Sequence, residues 1–218
     1  VEKLVERAVA ETLRDGGGEA ICLYVAACTE RMAPLFMGLR ANVPGRESDL
    51  DFYAESVRDL WHADRPLADA AERVRRLERF PELQPDEEGI TDVADTYAFF
   101  AVLCLRYAPL AHGSGNADDA VSCGHAALTA MGMLDQNVAS ASFLAEEQRL
   151  QSFSLSSDAA GVWDASVMAG RERFRAVLGR LPRLAVFCGS SASLPDAQWF
   201  RSGSSFGQRD GSHVDRER

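Results

Sequence analysis

Apolar residues recur along this chain at three- and four-residue intervals, the spacing that gathers them on one face of an α-helix. Leu4, Val5, Val9 and Leu13 mark a first helix over 1–14, ended by Gly16, Gly17 and Gly18. Ile21, Val25, Cys28, Met32, Leu35 and Leu39 make the stripe of a second over about 19–40. Pro34 lies inside that stripe and is expected to kink the helix, because proline removes one backbone donor and crowds the preceding turn. Leu50, Tyr53, Val57, Leu60 and Trp61 face inward on a third helix begun at Ser48, with Asp49 and Asp51 in its first turn, where carboxylates suit the dipole. A fourth helix, over about 66–79, is strongly charged. Its Arg73, Arg75, Arg76 and Arg79 alternate with Asp69, Glu72 and Glu78, as on a salt-laced exposed face. The stretch 80–88 holds Pro81 and Pro85 and reads as loop.

The stretch 91–136 differs from the rest. It reads as two helices joined by a short Gly/Ser loop, with charge-free runs over 97–105 and 120–134. Helices apolar nearly all round belong in a core, so the others are expected to wrap this pair. Thr91 or Asp92 is placed to cap the first and Asn116 the second, while Pro109 bends the first near its end. Two more helices follow, over 143–155 and 157–181, the last with Val162, Val167, Phe174, Val177 and Leu178 as core positions. No strand alternation of useful length precedes residue 183. The predicted fold is all-α: a single-domain bundle of six to eight helices around a central apolar helical hairpin, spanning 1–181.

From Pro182 the composition turns to Ser, Gly and Arg with no helical stripe, so 182–218 reads as a disordered or non-homologous tail. Within it, Arg183-Leu184-Ala185-Val186-Phe187-Cys188-Gly189-Ser190-Ser191 resembles the opening strand and loop of the nucleoside-monophosphate phosphoribohydrolases. The Pro-Gly-Gly-x-Gly-Thr segment of that family is missing, and with it the basis for its activity.

Charge narrows the partners. The formal charge is −10, and residues 1–181 hold 18 basic against 29 acidic side chains, which argues against nucleic acid. The longest charge-free helical run falls short of a membrane span, and the N-terminus lacks the basic-then-apolar order of a signal peptide. The five cysteines are odd in number and irregular in spacing, so buried free thiols are expected rather than disulfides. A cytoplasmic protein follows.

Catalytic motifs are missing. The three glycines at 16–18 lack a preceding strand and the Gly-Lys-Ser/Thr of a phosphate loop. There is no Cys-x-x-Cys, no His-x-x-x-His and no Gly-x-Ser-x-Gly; Cys123 and His125 fall on different helix faces. His112 and His125 could approach within the central hairpin, though helix-end histidines are most often structural. Glu30 and Arg31 read as a solvated or structural ion pair beside the Pro34 kink. The pairs Asp118-Asp119 and Glu146-Glu147 read as capping and solvated carboxylates. No metal and no cofactor is expected.

At Ala27-Cys28-Thr29-Glu30-Arg31-Met32-Ala33-Pro34 the chain resembles the YjaG-like bacterial family, domain of unknown function 416. Asp59-Leu60-Trp61, the run Ala130-Met131-Gly132-Met133-Leu134 and Trp163-Asp164 extend the likeness over roughly 19–181. The resemblance implies an all-helical fold and no catalytic residue to carry over.

Two functions are compatible with these residues. The first is a non-enzymatic protein that binds a protein partner or itself, with immunity-type binding of a toxin as one version. The alternative is a small-ligand or enzyme site between helices, built from Glu30, Arg31, Asp59, Trp61 and His112. That alternative requires the five side chains to converge on one concave pocket.

Overall fold

The computed structural model describes residues 4–62, 67, 69–84, 92–138 and 141–180. Within them the chain forms α1 (Arg7–Asp15), α2 (Gly17–Arg40), α3 (Glu47–Leu60), α4 (Ala70–Leu77), a 3₁₀ turn (Pro81–Leu83), α5 (Val93–Ser114), α6 (Ala117–Asn137), α7 (Phe143–Ser154) and α8 (Ala159–Arg180). No strand occurs among the described residues, and the all-α bundle expected from the periodicity is the fold. Thr91, Pro66 and the segment 182–218, with its phosphoribohydrolase-like piece, lie outside them.

Local signals act where the sequence placed them. The Asp92 side chain accepts the Ala94 N–H at 2.6 Å and starts α5, and Asn116 accepts the Asp118 N–H at 3.0 Å and starts α6. Gly115, at φ 67°, stops α5 in the left-handed conformation that favours glycine, its N–H returning to the Ala111 carbonyl. Elsewhere the boundaries moved. The third helix begins at Glu47 without a side-chain cap, so Ser48 is not its N-cap. The charged fourth helix is only Ala70–Leu77, entered through Asp69 at φ 59°. Pro81 opens a short 3₁₀ turn inside the stretch read as loop.

The α5–α6 hairpin packs in the core as expected, but it shares the centre with α2. That helix packs against α1, α3, α5, α6, α7 and α8. Its most apolar 18-residue stretch is 78% buried, against 44% for α5. Both helices are long and apolar enough, by length and composition, to cross a membrane. Close approach of α8 to α2 depends on glycine. A Cβ on Gly38 would strike the Phe174 ring, and one on Gly170 would meet Pro34 at 3.0 Å and the Arg31 carbonyl at 3.1 Å.

Ion pairs lock the other end of α2. Arg40 donates to Glu82 at 2.6 Å and Asp95 at 2.7 Å, and Arg46 holds Glu82 with two bonds of 2.9 and 2.7 Å. Burial alone would raise the Glu82 carboxyl, but the two guanidiniums outweigh it and hold the group below its ordinary value. The arginines of the charged helix also find partners: Arg73 with Asp59, Arg75 with Glu72, and Arg76 over the Phe52 ring at 4.0 Å.

Candidate functional site

Glu30 and Arg31 are neighbours on α2, and consecutive helical residues point about 100° apart. They therefore serve different interfaces. Arg31 points to α7 and α8. Its Nε and Nη2 donate to the two oxygens of Glu147 at 2.8 Å each, and its Nη1 donates to Ser166 Oγ at 3.2 Å. Nη2 also lies 3.3 Å from Cys28 Sγ.

Glu147 is the hub of this network. It accepts a further bond of 2.6 Å from Arg173 Nη2 and one of 2.9 Å from Gln151 Nε2. Gln151 in turn donates to the Gly124 carbonyl at 3.0 Å and accepts the Tyr24 hydroxyl at 2.7 Å. Arg31, Glu147 and Arg173 are 1%, 0% and 0% exposed, so solvent reaches none of the three charges. The position of Glu147 is set from outside α7: both carboxylate oxygens of Asp135 take the N–H groups of Phe143 and Leu144, at 2.7 and 3.0 Å. A carboxylate there satisfies the orphan donors of the first turn.

One carboxylate faces two guanidiniums here. Burial alone would raise the Glu147 carboxyl, but the charges of Arg31 and Arg173, with bonds from Arg31 and Gln151, hold it at about 2. Burial likewise opposes the charge on Arg31, and Glu147 more than restores it, raising its pKa above the ordinary value. Arg173 is less well served, since its Nε and Nη1 have no hydrogen-bond partner among the described residues.

Glu30 points the other way, toward the end of α3. The Trp61 indole N–H donates to its carboxylate at 3.2 Å, and the Trp163 ring of α8 packs edge-on against Trp61 at 4.8 Å. Burial raises the Glu30 carboxyl to about 7, against the opposing Trp61 bond and the charge of Arg171.

The remaining two candidates stand apart. Asp59 pairs with Arg73 at 2.6 Å. His112 is buried near the end of α5, and neither ring nitrogen has a hydrogen-bond partner among the described residues. Burial pushes its pKa below the ordinary histidine value. His125 accepts the Leu4 N–H at 3.3 Å.

Thus Glu30 meets Trp61, Arg31 belongs to a separate sealed network, and Asp59 and His112 join neither. The surface groove between α7 and α8 is lined by Ser142, Ala145, Glu146, Arg149 and Glu172 and touches none of the five. Two readings are corrected. Glu30 and Arg31 are neither solvated nor paired with each other. Glu147 is not a solvated carboxylate but a fully buried one. Its partners Gln151 and Arg173, and Ser166 beside Arg31, carry no motif that marks them in the sequence.

The thiols follow expectation: Cys22, Cys28, Cys104 and Cys123 are buried and free. Cys104 Sγ and Cys123 Sγ lie 3.3 Å apart across the α5–α6 hairpin. No group of three or more His, Cys, Asp or Glu side chains among the described residues could hold a metal ion. The chain matches no protein-family model, no curated protein and no solved structure.

Proposed function

We propose that this chain is a non-enzymatic helical protein that acts in the cytoplasm by binding a basic protein partner. The observation that carries the reading is where its charge lies. Buried charges carry no acidic excess: Arg31, Arg40 and Arg173 face Glu82 and Glu147, and burial holds Glu30 toward its neutral form. The acidic excess among the described residues therefore sits on side chains that solvent reaches. Surface arginines are further neutralised in pairs, as in Arg73–Asp59 and Arg106–Glu78. Such a surface attracts and steers a positively charged protein.

Two other facts support the reading. Of the candidate residues, Arg31 is sealed with Glu147 and Ser166 and closed to a substrate. Four buried free thiols suit a reducing compartment. The likeness to the YjaG-like family adds a helical fold and no reaction. Immunity-type binding, in which the partner is a basic toxin, is the most specific form of the proposal. The ligand-site alternative keeps Glu30 and Trp61 but loses Arg31, Asp59 and His112.

Affinity capture from the source cells, followed by light scattering of the eluate, tests the proposal. A stoichiometric complex with a basic protein, weakened by salt, is expected. A chain that elutes alone as a monomer overturns it.

A further inference from the structure

We propose that Cys104 and Cys123 are a modification site: an oxidisable pair that a small peroxide converts to a disulfide pinning α5 to α6. This inference is independent of the partner-binding reading. The sulfurs lie 3.3 Å apart and both residues are fully buried. A disulfide holds its sulfurs about 2.05 Å apart, so they need to close by little more than about 1 Å.

The helices are built to allow it. A disulfide between helices needs closely spaced backbones. Ala101 and Ala108 lie one turn before and after Cys104, and Ala120 and Ala127 do the same for Cys123, all four fully buried. Small residues on both facing stripes keep the α5 and α6 backbones near each other at this level. Competing thiols are placed less well. Cys28 lies near Cys123, but its sulfur is engaged by Arg31 at 3.3 Å, and Cys22 belongs to α2.

The chemistry closes in two steps. One thiol gives up its proton and the thiolate attacks an oxygen of hydrogen peroxide; an S–O bond forms, the O–O bond breaks, and the leaving hydroxide takes up the released proton and departs as water, giving a sulfenic acid. The second sulfur then attacks the first; the S–S bond forms, the S–O bond breaks and a second water leaves. The peroxide is reduced and the two thiols are oxidised by two electrons. Burial pushes the Cys123 thiol well above its ordinary pKa, so the pair stays reduced at rest and the first step waits on local opening of the hairpin. The second step follows as the hairpin recloses, which returns the partner sulfur to its place beside the sulfenic acid.

The test treats the folded full-length chain with hydrogen peroxide, blocks remaining thiols with N-ethylmaleimide, and maps non-reduced tryptic peptides by mass spectrometry. Cys104 falls alone in peptide 80–106 and Cys123 alone in 107–149, while Cys22 and Cys28 share 15–31 and Cys188 lies in 184–201. The expected product links 80–106 to 107–149, lighter than their sum by two hydrogens. It persists in Cys22→Ser and Cys188→Ser and is reversed by dithiothreitol. A link from 15–31 to 107–149 overturns the proposal. So does a Cys104 and Cys123 pair left fully reduced by peroxide that oxidises Cys188, or oxidised only to sulfinic acid. The peptide map of the unsubstituted chain decides by itself, should the buried Cys22→Ser variant fail to fold.

Discussion

Arg31 and Glu147 form a two-point pair, both bonds 2.8 Å long, that joins the central α2 to α7 with neither side chain exposed. Apolar contact between helices is non-directional, whereas a planar guanidinium meeting both oxygens of a carboxylate fixes rotation and register. Arg173 approaches the same carboxylate from α8 at 2.6 Å, so three helices are set against one another through Glu147. A buried pair of this kind adds little over a well-packed apolar core, but losing one partner leaves a bare charge inside.

Acid should therefore strike Glu147 hard. Its folded pKa, about 2, lies below the ordinary carboxyl value of 4.5. The stability it contributes is fully present above pH 4.5 and is lost as pH falls through about 2. The shift corresponds to something on the order of 3 kcal/mol. Glu147→Gln, which leaves two buried guanidiniums without a counter-charge, is expected to lose roughly 3–5 kcal/mol at neutral pH. Urea unfolding from neutral pH to pH 2 measures both; a variant as stable as the parent would sink the assignment.

The two arginines should not be equivalent. Arg31 makes bonds from all three of its nitrogens, whereas Arg173 makes one and leaves Nε and Nη1 without a partner among the described residues. Arg31→Met removes both bonds of the two-point pair and leaves Glu147 a single guanidinium bond, from Arg173, so a loss of roughly 2–3 kcal/mol is expected. Arg173→Met removes a poorly satisfied buried cation and leaves the Arg31–Glu147 pair intact, so a change within about 1 kcal/mol is expected. Denaturant midpoints of the two variants, side by side, decide it; equal losses would mean that Arg173 is satisfied as fully as Arg31.

Much of this was legible in the sequence. Period, caps and turns placed the helices, because Asp92, Asn116 and Gly115 act through their own backbone neighbours. Glu147 and Arg173 were not read as core, though the register gave a signal. Glu147 falls on the inward stripe Phe143, Glu147, Leu150 and Ser154, and Arg173 stands between the buried Ala169 and Val177. Weighing charge by type hides such residues; weighing it by position on the stripe exposes them. That Arg31 would find Glu147 rather than its neighbour Glu30 was not legible, because the choice depends on how three distant helices pack.

Glu30 should show the opposite pH dependence. Burial raises its folded pKa to about 7, above the ordinary 4.5. Stability from this group is fully present below pH 4.5 and is lost as pH rises through about 7, since ionisation puts a charge where water does not reach. Glu30→Gln keeps the shape and an oxygen for the Trp61 N–H while removing the ionisation. Near pH 5 it should match the parent within about 1 kcal/mol, and near pH 8.5 it should be the more stable, by up to roughly 3 kcal/mol. Chemical denaturation at the two pH values checks this. A parent that is the more stable near pH 8.5 would mean that Glu30 is ionised and held by Arg171.

Gly124 and Tyr24 should be energetically coupled. A Cβ on Gly124 would land on the Tyr24 hydroxyl and come within 3.0 Å of Gln151 Oε1, the atom that accepts the tyrosine bond. Gly124→Ala thus crowds the backbone carbonyl that anchors Gln151, and through Gln151 the Glu147 hub. A loss of about 1–3 kcal/mol is expected from overpacking at such a site. Tyr24→Phe alone should lose about 1 kcal/mol with its hydrogen bond. With the hydroxyl gone the severest clash disappears and contacts of 3.0 Å to the ring carbon Cζ and to Gln151 Oε1 remain, so the double variant should be more stable than the two single losses predict, by about 1 kcal/mol. Strict additivity in urea unfolding would place the steric conflict elsewhere, against the Tyr24 ring or Gln151 Oε1 rather than the Tyr24 hydroxyl.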